Sequence, residues 1–169
     1  MSSLPQTLIL MGVSGSGKSL IGSLLATALG AVFEDADDFH PASNKAKMSA
    51  GTPLTDEDRW PWYRILRDRI EAMRSQTPCY ILACSALKKV YRDRLREGDA
   101  PEVFRVVYLQ GSHEVIAERI AARKGHFMPS SLLDSQFATL EEPQDAVTVD
   151  VAGTPQQIVS AIEAKLAAL

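Results

Sequence analysis

The chain has 169 residues, 46 % hydrophobic and 23 % charged, which suits one domain with a real apolar core. Its 18 Lys and Arg against 21 Asp and Glu leave a net charge of −3, so no basic footprint favours a nucleic-acid partner. The aliphatic runs are short, Leu8-Ile9-Leu10-Met11 among the longest, far below the roughly 20 apolar residues of a membrane span. Met1-Ser2-Ser3-Leu4-Pro5 lacks the basic start and apolar centre of a signal peptide, so a cytoplasmic protein without a membrane partner is expected.

In chain order, strands are predicted at Thr7 to Met11, Ala31 to Phe33, Tyr80 to Cys84, Phe104 to Leu109 and Ala146 to Val151. Helical stretches alternate with them, beginning with Leu20 to Leu29. This alternation predicts an α/β fold with a five-stranded parallel sheet and helices on both faces, as one domain over residues 1–169. Thr55 ahead of Asp56-Glu57-Asp58 marks a helix start, because acidic residues suit the positive helix end. Thr154-Pro155-Gln156-Gln157 marks another, with Ile158, Ile162 and Leu166 forming one apolar stripe behind it. Trp60, Trp62 and Tyr63 cannot all point one way on a helix, so at least one belongs to the core. Cys79 and Cys84, five apart along a strand, face opposite sides and read as two reduced thiols.

The stretch Gly12-Val13-Ser14-Gly15-Ser16-Gly17-Lys18-Ser19 matches G-x-x-x-x-G-K-S/T in full, between a predicted strand and a helical run. Its glycines let backbone N–H groups approach phosphate oxygens, and the following helix adds its positive end. Lys18 is placed to reach the β- and γ-phosphates of ATP, and the Ser19 hydroxyl to ligate Mg²⁺. Switch GTPases, motor ATPases and small-molecule kinases share such a loop. A guanine-reading N-K-x-D is missing, since Asn44-Lys45-Ala46-Lys47 ends in lysine. No later apolar strand ends in an Asp-Glu pair suited to activating water, and the length leaves little room for a force-transmitting module. A compact kinase with its own acceptor site and lid remains.

The second strand leads into Glu34-Asp35-Ala36-Asp37-Asp38-Phe39-His40-Pro41. Strand C-termini of a parallel sheet face the ligand crevice, so these carboxylates sit beside the phosphate loop. There they can hold Mg²⁺ through water and take the proton of an attacking hydroxyl.

The phosphate loop together with Asp35-x-Asp37-x-x-His40-Pro41, Asn44-x-x-Lys47-Met48, Pro53-Leu54 and Asp58-Arg59 carries a family resemblance. Pro61-Trp62, Cys84-Ser85-Ala86-Leu87-Lys88-Lys89, Arg123-Lys124-Gly125-His126-Phe127 and Gln136-Phe137-x-Thr139-Leu140-Glu141-x-Pro143 extend it. Across residues 8 to 143 the chain closely resembles the small P-loop gluconate kinases, whose fold is like that of shikimate and adenylate kinases. The resemblance implies ATP-dependent phosphorylation of D-gluconate at its 6-hydroxyl, with Mg²⁺, and suggests a homodimer.

It also implies roles. Asp37 orients the acceptor hydroxyl and takes its proton, and Asp35 lies in the outer shell of Mg²⁺. Arg59 either clamps the substrate carboxylate with two parallel bonds or ion-pairs within its acidic helix start. His40 either meets substrate hydroxyls or caps the turn before Pro41. Ser85 caps the next helix and can touch substrate. Lys88, Lys89 and Arg92 either attract a sugar acid or form a solvated basic helix face. Lys47, His126 and Gln136, within matched stretches, are expected at the substrate. Arg119 and Arg123 would flank the adenine and clamp the phosphates, with Gly153-Thr154-Pro155 as an edge of the adenine pocket. Residues 123–130 form the expected lid, where Gly125 permits bending and Phe127 and Met128 give a loop an apolar cover that keeps water out. Lys18, Asp37 and Arg123 are thus the expected catalytic groups.

Overall fold

The computed structural model describes residues 3–123 and 129–169. The centre of the expected lid, residues 124–128 with His126, lies outside them.

Five strands, β1 (Thr7–Met11), β2 (Val32–Asp35), β3 (Tyr80–Ala83), β4 (Phe104–Gln110) and β5 (Val147–Asp150), form one sheet in the order β2-β3-β1-β4-β5. Every pairing is parallel. The described helices are α1 (Lys18–Leu29), α2 (Ala42–Ser49), α3 (Asp56–Met73), α4 (Lys89–Arg96), α5 (His113–Ala122), α6 (Ser130–Thr139) and α7 (Pro155–Ala167), with a 3₁₀ turn at Ala36–Phe39.

The strands' period of two divides the core. Leu8 and Leu10 of β1, with Ile81, Val107 and Val149, face one side, where Ile21 and Leu25 of α1 and Ile158, Ile162 and Leu166 of α7 cover them. Ile9 and Met11, with Leu82, Val106 and Tyr108, face the other, under Trp62, Tyr63, Leu66 and Ile70 of α3 and Tyr91 and Leu95 of α4. Cys79 joins the first cluster and Cys84 the second; both are free thiols, as their spacing predicts. Trp62 and Tyr63 are buried, and Trp60 packs at the edge of the same cluster.

Four predicted strands match within a residue at either end, whereas β2 runs two residues further than expected. Glu34 and Asp35 are poor strand formers, yet Leu82 and Ala83 of β3 pair with them, so tertiary pairing overrides propensity. The extension matters because Asp35 and Leu10 both pair with Ala83. Asp35 therefore ends its strand at a level two residues below Gly12.

Both predicted caps form. Thr55 accepts from the Asp58 N–H and Thr154 from the Gln157 N–H, each closed into a capping box by the return bond. Ser85 does not cap a helix. The chain stays non-helical until Lys88, which is the N-cap residue of α4 and supplies no side-chain bond.

Candidate active site

The phosphate loop joins β1 to α1. Gly17 is the N-cap of α1 at φ 96°, a left-handed conformation that costs glycine nothing. A Cβ on Gly12 would lie 2.6 Å from Ser16 Oγ and 3.1 Å from the Leu109 carbonyl, so only glycine lets the strand turn there. Among the described residues no side chain caps α1, which leaves its positive end to an anion. Ser16 Oγ is buried inside the loop with no hydrogen-bond partner among the described residues. Lys18 folds back over it, donating to the Gly12 carbonyl at 2.9 Å and the Val13 carbonyl at 3.0 Å. Burial pushes the Lys18 ammonium below its ordinary pKa, and the nearby Cys84, Asp37 and Asp35 partly offset that. Arg123, the exposed residue that ends α5, adds a like charge felt at Lys18. Backbone donors, an uncapped helix start and a desolvated cation together fit a triphosphate.

Asp35 ties this loop to the acidic turn. Its Oδ2 accepts from Ser19 Oγ at 3.1 Å, while its Oδ1 accepts from the Asp37 N–H at 2.9 Å and so caps the 3₁₀ turn. Asp37 stays open, with its side chain 81 % exposed. Although solvent reaches the side chain, the protein packed behind it thins its hydration, and together with Asp35 this holds its carboxyl above the usual carboxylate range, with Lys18 opposing. The turn itself is pinned by Trp62 Nε1, which donates to the Ala36 carbonyl at 2.9 Å.

His40 follows the turn. Its ring stacks on Trp62 with centroids 3.9 Å apart, and its Nε2 stands 3.8 Å from Asp37 Oδ1. Asn44, buried on α2, reaches both His40 Nδ1 at 3.3 Å and the Asp58 carbonyl at 3.0 Å through its side-chain nitrogen. The sequence placed Asn44 in the matched stretch Asn44-x-x-Lys47-Met48 but assigned it no role.

Arg59 and Lys88, distant in sequence, meet around Tyr91. The Arg59 guanidinium lies 5.6 Å and the Lys88 ammonium 5.5 Å from that ring's centroid. Asp56 holds them together: its Oδ1 accepts from the Tyr91 hydroxyl at 2.5 Å and lies 3.6 Å from Arg59 Nη1, and its Oδ2 lies 3.9 Å from Lys88 Nζ. Arg59 also donates to the Leu54 carbonyl at 2.9 Å. Two cations thus share one carboxylate, and the cluster keeps one positive charge in excess.

The other expected site residues have partners of their own. Lys47 binds both oxygens of Asp58, at 2.9 and 2.8 Å. With the Thr55 N–H, this pair holds the Asp58 carboxyl down at about 2. Arg92 turns inward and donates to the carbonyls of Ala86 at 2.8 Å, Leu87 at 3.1 Å and Glu141 at 2.9 Å. Lys89 pairs with Asp93 at 2.7 Å, so Lys88, Lys89 and Arg92 form no common basic face. Gln136 meets the phosphate loop: its Oε1 accepts from the Ser14 N–H at 2.6 Å and its Nε2 donates to Ser14 Oγ at 2.8 Å. Arg119 donates to the carbonyls of Val151 and Gly153, which brings it to the loop ahead of Pro155 at the start of α7. Ser85 is half-buried directly beyond β3, at the same sheet edge.

A family model described as an AAA domain matches residues 8–143. The chain is 50 % identical over 150 residues to the thermosensitive gluconokinase of Escherichia coli (strain K12), covering 86 % of this chain and 79 % of that protein. It is 47 % identical over 141 residues to a gluconokinase of Gluconobacter oxydans (strain 621H), covering 83 % and 78 %. The crystal structure of a gluconokinase from Sinorhizobium meliloti 1021 superposes with a TM-score of 0.87 at 47 % identity, over 98 % of this chain and 93 % of that one. With a phosphate loop, an acidic turn bonded to it and this likeness over most of its length, the chain belongs to the gluconokinase family of P-loop kinases.

Proposed function

We propose that the chain transfers the γ-phosphoryl group of ATP to the 6-hydroxyl of D-gluconate, giving 6-phosphogluconate and ADP. One observation carries this reading: Asp35 bonds Ser19 with one oxygen and the Asp37 N–H with the other, joining the phosphate-binding half to the acidic half. The likeness to gluconokinases supports gluconate as acceptor.

Lys18 and the loop amides hold the triphosphate and spread its charge, and Arg123 adds a second cation beside it. Ser19 would offer its hydroxyl oxygen to Mg²⁺ and Asp35 would hold the ion through water, and the ion when bound neutralises developing charge on the phosphates. Asp37 takes the proton of the attacking hydroxyl, a role its raised pKa suits. Arg59 and Lys88 receive the substrate carboxylate, because their cluster already carries a positive excess and an anion completes it. Arg119 and the segment before Pro155 border the adenine.

The test is ADP release, coupled to a dehydrogenase, over a panel of sugar acids and neutral polyols. Gluconate should stimulate release strongly and glucitol weakly, with ¹³C and ³¹P NMR placing the ester on C6. Slow hydrolysis that no sugar acid stimulates would overturn the reading.

A further inference from the structure

The bonds around His40 determine where its proton sits. The Asp58 carbonyl only accepts hydrogen bonds, so the Asn44 atom 3.0 Å from it is the amide nitrogen and not the oxygen. The same nitrogen lies 3.3 Å from His40 Nδ1; an amide nitrogen has only N–H groups to offer, so Nδ1 must supply the lone pair for a bond between them. The ring proton is therefore on Nε2. An imidazolium would set N–H against N–H at Nδ1. Burial, then Lys45 and Arg59, oppose a positive ring as well.

The ring is also fixed in space. Trp62 stacks on it with an interplanar angle of 17° and is itself bonded to Ala36, next to Asp37. The imidazole is only 4 % exposed whereas the Asp37 side chain is 81 % exposed, so of the two it is Asp37 that is free to move. The gap of 3.8 Å between Nε2 and Asp37 Oδ1 must close by about 1 Å to make a hydrogen bond, and the exposed carboxylate, not the buried ring, is the group with room to close it.

We infer that His40 is a positioning residue for phosphoryl transfer: Asn44 locks it as the Nε2–H tautomer, and that N–H orients the Asp37 carboxylate toward the acceptor hydroxyl. The inference rests on the role proposed for Asp37. His40 itself neither gains nor loses a proton; the hydroxyl proton passes to Asp37. The arrangement is a base oriented by a second group, which a third group holds in one tautomer.

Two variants separate orientation from bulk. His40→Gln places an amide N–H near the position of Nε2, whereas His40→Asn reaches only the position of Nδ1. His40→Asn should lower kcat about 10- to 100-fold, the worth of one hydrogen bond to a charged group, with KM for MgATP unchanged. His40→Gln should recover most of that loss. Equal losses in both variants, or no loss in His40→Asn, would overturn the assignment. Long-range ¹H–¹⁵N correlation on the unaltered protein, which has 3 histidines, reads the tautomer directly. An Nε2–H signature for His40 at neutral pH is expected, and an Nδ1–H or imidazolium signature would refute the inference. That spectrum needs no acceptor, so it stands or falls separately from gluconate as substrate.

Discussion

Replacing Asp37 by Asn removes the charge that accepts a proton while keeping size and shape. The side chain is 81 % exposed, and its backbone N–H keeps the bond to Asp35 Oδ1, so the turn should persist. The carboxylate is held above its ordinary pKa by the protein packed behind it, which thins its hydration even though solvent reaches the side chain, and by Asp35. A group with a raised folded pKa favours folding below its unfolded value and loses that contribution as pH rises through the folded one. At neutral pH the wild-type protein therefore carries the cost of two neighbouring carboxylates, and Asp37→Asn relieves it. Stability should hold or rise, with a change within about 0.5 kcal/mol, as for surface substitutions. Turnover should behave otherwise: loss of a positioned base costs about 10²- to 10⁴-fold in kcat, or about 2.7–5.4 kcal/mol of barrier. Coupled ADP release, a thermal melt and calorimetric binding of a non-hydrolysable ATP analogue give the three readouts. Near-normal kcat, or a turnover loss accompanied by lost nucleotide affinity or an early melt, would refute the reasoning.

Arg59→Gln and Lys88→Gln should each raise KM for gluconate about tenfold or more, as expected for a charge-assisted bond, and leave KM for MgATP and the weak activity on glucitol unchanged. Equal effects on gluconate and glucitol would refute the carboxylate assignment. Arg92→Met should destabilise by about 3–5 kcal/mol in urea titrations, because the carbonyls of Ala86, Leu87 and Glu141 lose their donor in a buried place. A loss below about 1 kcal/mol would show those bonds to be dispensable. Asp58 has a depressed folded pKa, so its pairing stabilises above the unfolded value of 3.8 and is lost as pH falls toward about 2. The gap in urea midpoint between wild type and Lys47→Met should be constant above pH 5 and shrink below pH 4. A gap independent of pH would exclude the ion pair as its source.

Much of the layout follows from local chemistry. The eight residues from Gly12 to Ser19 demand a backbone cradle wherever they fold, since their glycines and helix start act within one turn. The caps at Thr55 and Thr154 likewise use bonds only three residues apart. Strand positions were legible from short apolar runs, because burial on both faces selects for them. Side-chain direction was not. Arg92 and Lys88 are four apart at the same helix start, yet one threads into carbonyls near Glu141, 49 residues on, while the other turns to Asp56.

What the sequence determined alone is therefore the phosphate loop, the order of strands and helices, and the acidic turn after β2. Each depends on residues that are neighbours along the chain. What only the tertiary structure decided is how the polar side chains are shared out. It paired Arg59 with Lys88 around Tyr91, gave Lys47 to Asp58, and sent Gln136 to the phosphate loop across 122 residues. It also set Asn44 against His40. The physical reason is that a hydrogen bond goes to whichever partner the packed backbone brings within about 3 Å, and sequence spacing beyond one turn carries no such distance.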